Sequence, residues 1–390
     1  MSEAAPKAEA VVRPARRVCL VSGGTGGHLM PALVLGRALL EVGQAPLLIT
    51  EGREVERELV RRELPDIEAV EVPRSGRSRL ALPVWLLRAT RTARGMLRKH
   101  DVGGVISTGG RASVPVALAA RSLGLPVFLL EQNAVTGRAN RWLRAISRRM
   151  YTGLPGAEVD GRRALHTGTP LRPGFGSIDR RAARDALGLR DGVPVVLVTG
   201  GSQGARALNE LAPDALVGVG RELQVVHLCG LGNEAAVRAR YEGAAGLTVD
   251  VREVALDMDL LFAAADLVVC RGGGTTVAEL MAVGRPAVVV PYPHHKDQQQ
   301  LHNARVLERV GAAVVCEERS VDLARFTSTL SELLADPAKL GAMGDAARAI
   351  RRLDACGAIL GDVTAELTPA PMREPQAVSS RQPRRRGGVA

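Results

Sequence analysis

Aromatic side chains are scarce in this chain of 390 residues, which holds four Phe, three Tyr and two Trp. Stacking platforms for single-stranded nucleic acid need aromatics in series, so that class of partner has little support. The core must instead be built from Ala, Val and Leu. Cysteine is sparse as well: Cys19, Cys229, Cys270, Cys316 and Cys356 stand far apart, with no Cys-x-x-Cys pair. Such a set fits reduced, buried thiols of the cytosol rather than a disulfide framework. No apolar run reaches the roughly 18 residues that a membrane-spanning helix needs. Pro6, Glu9 and Arg13 interrupt any signal-peptide core at the start. Seven His without HExxH spacing leave a zinc site unsupported.

What is present is ordinary globular composition, 46% hydrophobic and 24% charged, with length for two or three domains. The net charge of +11, from 52 Lys and Arg against 41 Asp and Glu, favours anionic partners: phosphorylated metabolites, an anionic membrane face or nucleic acid. Short runs, most of them apolar throughout, read as strands at Val18–Ser22, Pro46–Thr50, Gly104–Ser107, Val127–Leu130, Val193–Thr199, Gln224–Leu228, Leu267–Cys270 and Ala287–Val290. Strands apolar on both faces, alternating with helical stretches, predict an α/β fold of doubly wound parallel sheets. Strand, glycine-rich turn and helix recur at Val18–Leu40 and Val193–Leu211, so two Rossmann-like halves are expected, with a seam near Thr167–Phe175. The expected plan is a flexible tail over 1–16, domains over 17–167 and 168–346, a helix over 347–366, and a basic tail over 367–390.

Four motifs carry the chemistry. Gly23-Gly24-Thr25-Gly26-Gly27-His28 follows the first strand and precedes a helix expected near Pro31. Its glycines would let backbone amides approach an anion, although the spacing is neither a dinucleotide fingerprint nor a Walker A loop. Glu51 after the next strand keeps a nicotinamide-cofactor reading open, and a bare tight turn is the bland alternative. Gly200-Gly201-Ser202-Gln203-Gly204-Ala205 repeats the device in the second half. Cys270-Arg271-Gly272-Gly273-Gly274 opens a helix carrying Glu279, whose carboxylate could accept hydrogen bonds from a ribose diol; a capping-box acid is the alternative. Pro291 to Gln300, then Asn303, concentrates amides suited to sugar hydroxyls, or forms a solvated loop.

Together these residues strongly resemble the MurG-type family. Its members are bacterial cell-wall enzymes that transfer N-acetylglucosamine (GlcNAc) from its UDP conjugate to undecaprenyl-pyrophosphoryl-MurNAc-pentapeptide (lipid I), giving lipid II. The likeness runs in order over about residues 17–366. It implies the GT-B fold, two facing Rossmann-like domains with a cleft between them, and an inverting hexosyltransferase that releases UDP and needs no cofactor or metal. It implies a first domain facing acceptor and membrane, a second binding UDP-GlcNAc, and a C-terminal helix packing back on the first. Carried over by motif, the donor site would comprise Thr25, Gly26, Gly27, Asn133, Arg172, Ser202, Ala255, Gly274, Thr275, Thr276, Val277, Ala278, Glu279 and Gln300. Arg172 and Ser202 would hold the diphosphate, Ala255 the uracil through its backbone, Glu279 the ribose and Gln300 the sugar. Thr169 stands where the family usually has Asn, and Arg111 where it usually has an aromatic residue.

His28 is the candidate base for the acceptor hydroxyl, because an imidazole titrates near neutrality. A histidine that merely orders its loop is the alternative. Residues 74–99 hold eight Arg or Lys and no acid, and Arg138–Met150 adds five Arg with Trp142. On a helical wheel Leu82, Trp85, Leu86, Ala89, Ala93, Met96 and Leu97 share a face, away from Arg88, Arg91, Arg94 and Arg98. Trp85, Arg88, Arg91, Arg94 and Trp142 are therefore expected at an anionic membrane surface, giving a peripheral protein on the cytoplasmic face. An ordinary helix packed on its sheet is the alternative. The cell-wall synthesis machinery is a partner class that the resemblance allows. A UDP-GlcNAc epimerase on the same fold and a basic nucleic-acid module are the rival functions.

Overall fold

In a computed structural model the chain forms two parallel β-sheets; it describes residues 16–23, 26–74, 76, 81–157, 164–201 and 204–367. The first sheet holds β1 (Arg17–Val21), β2 (Leu47–Thr50), β3 (Glu68–Glu71), β4 (Val102–Ser107), β5 (Val127–Glu131), β6 (Arg149–Thr152) and β7 (Ala164–His166). Their spatial order is β3-β2-β1-β4-β5-β6-β7. The second holds β8 (Val195–Thr199), β9 (Leu223–Leu228), β10 (Leu247–Arg252), β11 (Leu267–Cys270), β12 (Ala287–Val289) and β13 (Ala313–Val315). Their order is β10-β9-β8-β11-β12-β13. The eight strands expected from apolar runs are all present, with ends within two residues of those expected.

The unbroken runs are explained by burial on both faces. Cys19, Val21, Leu47 and Ile49 pack with Ala93 and Leu97 of the Leu82–Lys99 helix and Val116 and Ala120 of the Ser113–Ser122 helix. Val18, Leu20 and Leu48 pack on the opposite face with Leu33 and Leu35 of the Gly26–Glu41 helix. The register Cys19↔Leu47 and Cys19↔Val105 keeps each face in step across the sheet. In both sheets the order reverses beside the first strand, between β1 and β4 and between β8 and β11. Such a reversal opens a crevice at the strands' carboxyl ends, where α/β proteins bind ligands. Three of the four motifs follow β1, β8 or β11.

The last described helix packs against the first strand. In the Ala355–Leu367 helix, Ile359 and Val363 are buried beside Val18 and Leu20. Tyr151 donates to Asp362 at 2.7 Å, Arg149 pairs with Asp362 at 2.8 Å and Arg148 with Glu366 at 2.9 Å. The preceding Pro337–Ala349 helix packs in the second half, so the break expected at 347 falls inside it. Among the described residues no helix is long and apolar enough to cross a membrane. The expected tails lie, but for Arg16 and Leu367, outside the described residues.

Candidate active site

The first glycine loop differs from expectation at its helix. The helix starts at Gly26, five residues before Pro31, so Gly26, Gly27 and His28 form its first turn. Proline is favoured at a helix start, which misplaces the boundary. Inside the helix, Pro31 has no N–H for the carbonyl four residues back, that of Gly27. That oxygen accepts instead from Thr275 Oγ1 of the second half, at 3.2 Å. Thr25 lies outside the described residues, as do Ser202 and Gln203 in the second loop.

His28 is half-buried beside the loop that follows β4. Its Nδ1 lies 3.0 Å from the Thr108 carbonyl and 3.2 Å from Gln132 Oε1. Thr108 Oγ1 donates to the His28 carbonyl at 2.8 Å, tying loop to helix. Nε2 has no hydrogen-bond partner among the described residues. Backbone crowding demands glycine here. A Cβ on Gly110 would lie 1.9 Å from the Gly23 carbonyl oxygen, and one on Gly109 2.9 Å from His28 Nδ1.

In the second half, the Gly274–Val283 helix begins directly after β11 with Gly273 as its cap and no side chain bonded to its first amides. Those unsatisfied N–H groups and the positive end of the helix suit an anion. Gly274, Thr275 and Thr276 supply them. Val277 and Ala278 do not: their side chains are in the core, and the Val277 amide already donates to Gly273. Glu279 is half-buried and has no hydrogen-bond or ion-pair partner among the described residues. Loss of solvent raises its carboxyl to about 8, against the attraction of Arg172 and with the repulsion of Asp259. A desolvated carboxylate without a partner is suited to hydroxyl donors from a ligand. That favours the diol reading over a capping box, in which the acid would be bonded to its own backbone.

The halves meet beside this helix. Asn303 is fully buried; its Nδ2 donates to Asn133 Oδ1 and the Gly272 carbonyl, both at 3.0 Å, and its Oδ1 accepts from Ala134 N at 2.7 Å. A Cβ on Gly274 would lie 2.5 Å from the Gln132 carbonyl oxygen, so this glycine serves contact between the halves, whatever it also offers an anion. Asn133 donates through Nδ2 to Glu131 Oε1 at 3.0 Å. Gln300 accepts through Oε1 from Gly272 N at 3.2 Å and Tyr292 N at 2.9 Å, so one end of its amide braces the loop. Arg172 donates to the Leu256 carbonyl at 3.0 Å and sits 3.8 Å from Glu63, across the seam. Half-buried Ala255 precedes Leu256, and its backbone N–H and carbonyl are unbonded among the described residues.

Three residues escaped the sequence reading: Thr108, Glu131 and Gln132. Buried Glu131 accepts from Asn133 N at 3.1 Å, Gly137 N at 2.8 Å and Asn140 Nδ2 at 2.9 Å, holding the turn after β5 in shape. Three polar residues ending a buried apolar strand were the available signal.

The amphipathic helix needs correction. Ala89, Ala93 and Leu97 of its apolar face are buried, Ala93 and Leu97 in one cluster with Val116 and Ala120 of the neighbouring Ser113–Ser122 helix, and Trp85 donates its indole N–H to the Pro73 carbonyl at 2.7 Å. Arg94 donates to the Ser122 carbonyl at 2.8 Å. Its exposed side chains include Arg88, Arg91, Arg98 and Lys99 with Leu82, Val84 and Leu87, and on the Arg138–Leu143 helix Trp142 is 74% exposed.

Both halves match family models: residues 18–152 the glycosyltransferase family 28 N-terminal domain, and residues 195–355 its C-terminal domain. A UDP-N-acetylglucosamine–N-acetylmuramyl-(pentapeptide) pyrophosphoryl-undecaprenol N-acetylglucosamine transferase of Xanthomonas axonopodis pv. citri is 37% identical, over 99% of this chain and 91% of the relative. Its namesake from Shewanella piezotolerans is also 37% identical, over 87% and 94%. The crystal structure of MurG from Acinetobacter baumannii superposes with a TM-score of 0.77 at 29% identity, covering 90% of this chain and 99% of that one. The chain belongs to the MurG-type branch of glycosyltransferase family 28.

Proposed function

We propose that this protein transfers GlcNAc from UDP-GlcNAc to lipid I, with inversion at the anomeric carbon and release of UDP. One observation carries the reading within the family. The first turn bearing His28 and the helix start leading to Glu279 come into hydrogen-bond contact across the cleft, through Gly27 and Thr275. A base and a nucleotide cradle on opposite walls suit transfer between two substrates.

The division of labour follows from the chemistry. The second half takes the donor: Glu279 accepts from the ribose hydroxyls, Ala255 meets the base, and the amides of Gly274 to Thr276 face the diphosphate. Arg172 joins them once it leaves Leu256 and Glu63. Gln300 and Asn133 turn their remaining amide hydrogens to the sugar. The acceptor hydroxyl gives its proton to Nε2 of His28 as its oxygen bonds to the anomeric carbon. The bond from that carbon to UDP breaks, and its electron pair leaves on the diphosphate oxygen. Preorganised amides and a helix terminus stabilise the charge where it develops. The first half holds the lipid acceptor and lies on the anionic cytoplasmic membrane face through Arg88, Arg91 and Trp142. Labelled GlcNAc should pass from UDP-GlcNAc to a lipid I analogue, with UDP released only when acceptor is present. UDP release or epimerisation without acceptor would refute the transfer.

A further inference from the structure

We infer that Gln132 is a positioning residue that sets the tautomer of His28. The inference rests on the reading of His28 as base and deepens it. Both groups facing Nδ1 are acceptors: the Thr108 carbonyl at 3.0 Å and Gln132 Oε1 at 3.2 Å. The orientation of the Gln132 amide is itself determined, because its Nε2 donates to the same Thr108 carbonyl at 2.9 Å. Turning the amide over would set oxygen against oxygen there and bring an N–H to Nδ1. One carbonyl thus fixes the amide, and the two oxygens together require a proton on Nδ1. In the neutral ring the other nitrogen then carries the lone pair.

Nε2 is the atom without a hydrogen-bond partner among the described residues and the one that must take the acceptor's proton. A free imidazole prefers its proton on Nε2, where it would block that role, so the protein has to impose the other form. Gln132 is 2% exposed and does not reach solvent, and Gly109 leaves room for the ring against the loop. Groups that orient an imidazole through its second nitrogen act on its chemistry without touching substrate.

The test is nitrogen NMR on the full chain labelled in histidine, with the His28 signals assigned by their loss in His28→Ala. The wild type should show the Nδ1–H form at neutral pH, and Gln132→Leu should shift the population towards Nε2–H. In transfer assays kcat for Gln132→Leu should fall about tenfold, the lower end for outer-shell partners of an imidazole. KM for UDP-GlcNAc should stay within about twofold, since uniform binding is untouched. An Nε2–H ring in the wild type, or a tautomer indifferent to Gln132→Leu, overturns the inference and needs no active variant. Near-normal turnover in His28→Ala would instead remove the base reading while leaving the tautomer result in place.

Discussion

In the proposed donor site, Glu279 is expected to govern the donor's affinity through its protonation. Its carboxyl, raised to about 8 by loss of solvent, holds more protons in the folded chain than in the unfolded one between the ordinary carboxylate range and that value. Folding stability from this group is therefore lost as pH rises through that window, and Glu279→Gln should gain thermal stability over wild type at pH 9 but not at pH 4. The ionised form is the better acceptor for ribose hydroxyls. UDP binding by calorimetry should tighten from pH 6.5 to 9 in the wild type and stay flat in Glu279→Gln. Glu279→Ala should cost about 1.5–3 kcal/mol of UDP affinity at pH 9, the range for hydrogen bonds to charged groups. Gln300 behaves differently because its carbonyl braces Gly272 and Tyr292. Gln300→Ala should weaken UDP as well as UDP-GlcNAc, by severalfold each. Loss of sugar turnover with unchanged UDP affinity would mean that the brace is unimportant.

At the scale of elements, sequence alone revealed the strands because burial on both faces keeps most of their residues apolar. The strands it missed include the edge strands β3, β7 and β10, where exposed residues break the run. The glycine loops were legible because each follows a switch-point strand. Their partners were not, since Thr108, Gln132 and Asn303 acquire their roles only when distant segments meet. The amphipathic helix shows the same limit: its wheel reports one apolar face but not that Ala93 and Leu97 spend it in the core beside a neighbouring helix. The proposed membrane docking is therefore expected of its outer residues. Reversing Arg88 and Arg91 should lower cosedimentation with anionic vesicles, each charge contributing about 1 kcal/mol near such a surface. Trp142→Ala should weaken the salt-resistant part of binding. Reversing Arg94 should act mainly on stability, through the lost contact with Ser122. If the Arg88 and Arg91 variant sediments like wild type, this helix does not face the bilayer.

Across the whole molecule, the two halves are joined by the chain at the seam, by the returning C-terminal helix and by the contact at Asn303. The returning helix covers the first sheet with Ile359 and Val363 and anchors to Tyr151 and Arg149 through Asp362. Asp362→Ala removes the acceptor of the buried Tyr151 hydroxyl and the nearer of the two carboxylates paired with Arg149, so it should lower the melting temperature of the first half. Leaving the Tyr151 hydroxyl without its acceptor costs about 1–3 kcal/mol. Proteolysis should then begin in the first half while UDP binding in the second persists. Pro31 carries a further consequence, which concerns time. Because Pro31 removes the amide that would ordinarily close on the Gly27 carbonyl, leaving Thr275 costs that oxygen its cross-cleft donor with no Pro31 N–H to replace it. That makes the joined state longer-lived, and a spent nucleotide inside it slower to depart. Pro31→Ala restores a competing amide, so a fluorescent UDP analogue should dissociate about fivefold faster in stopped flow, the equivalent of one ordinary hydrogen bond. A residue that interrupts a helix would thus help set how long the enzyme waits between turnovers.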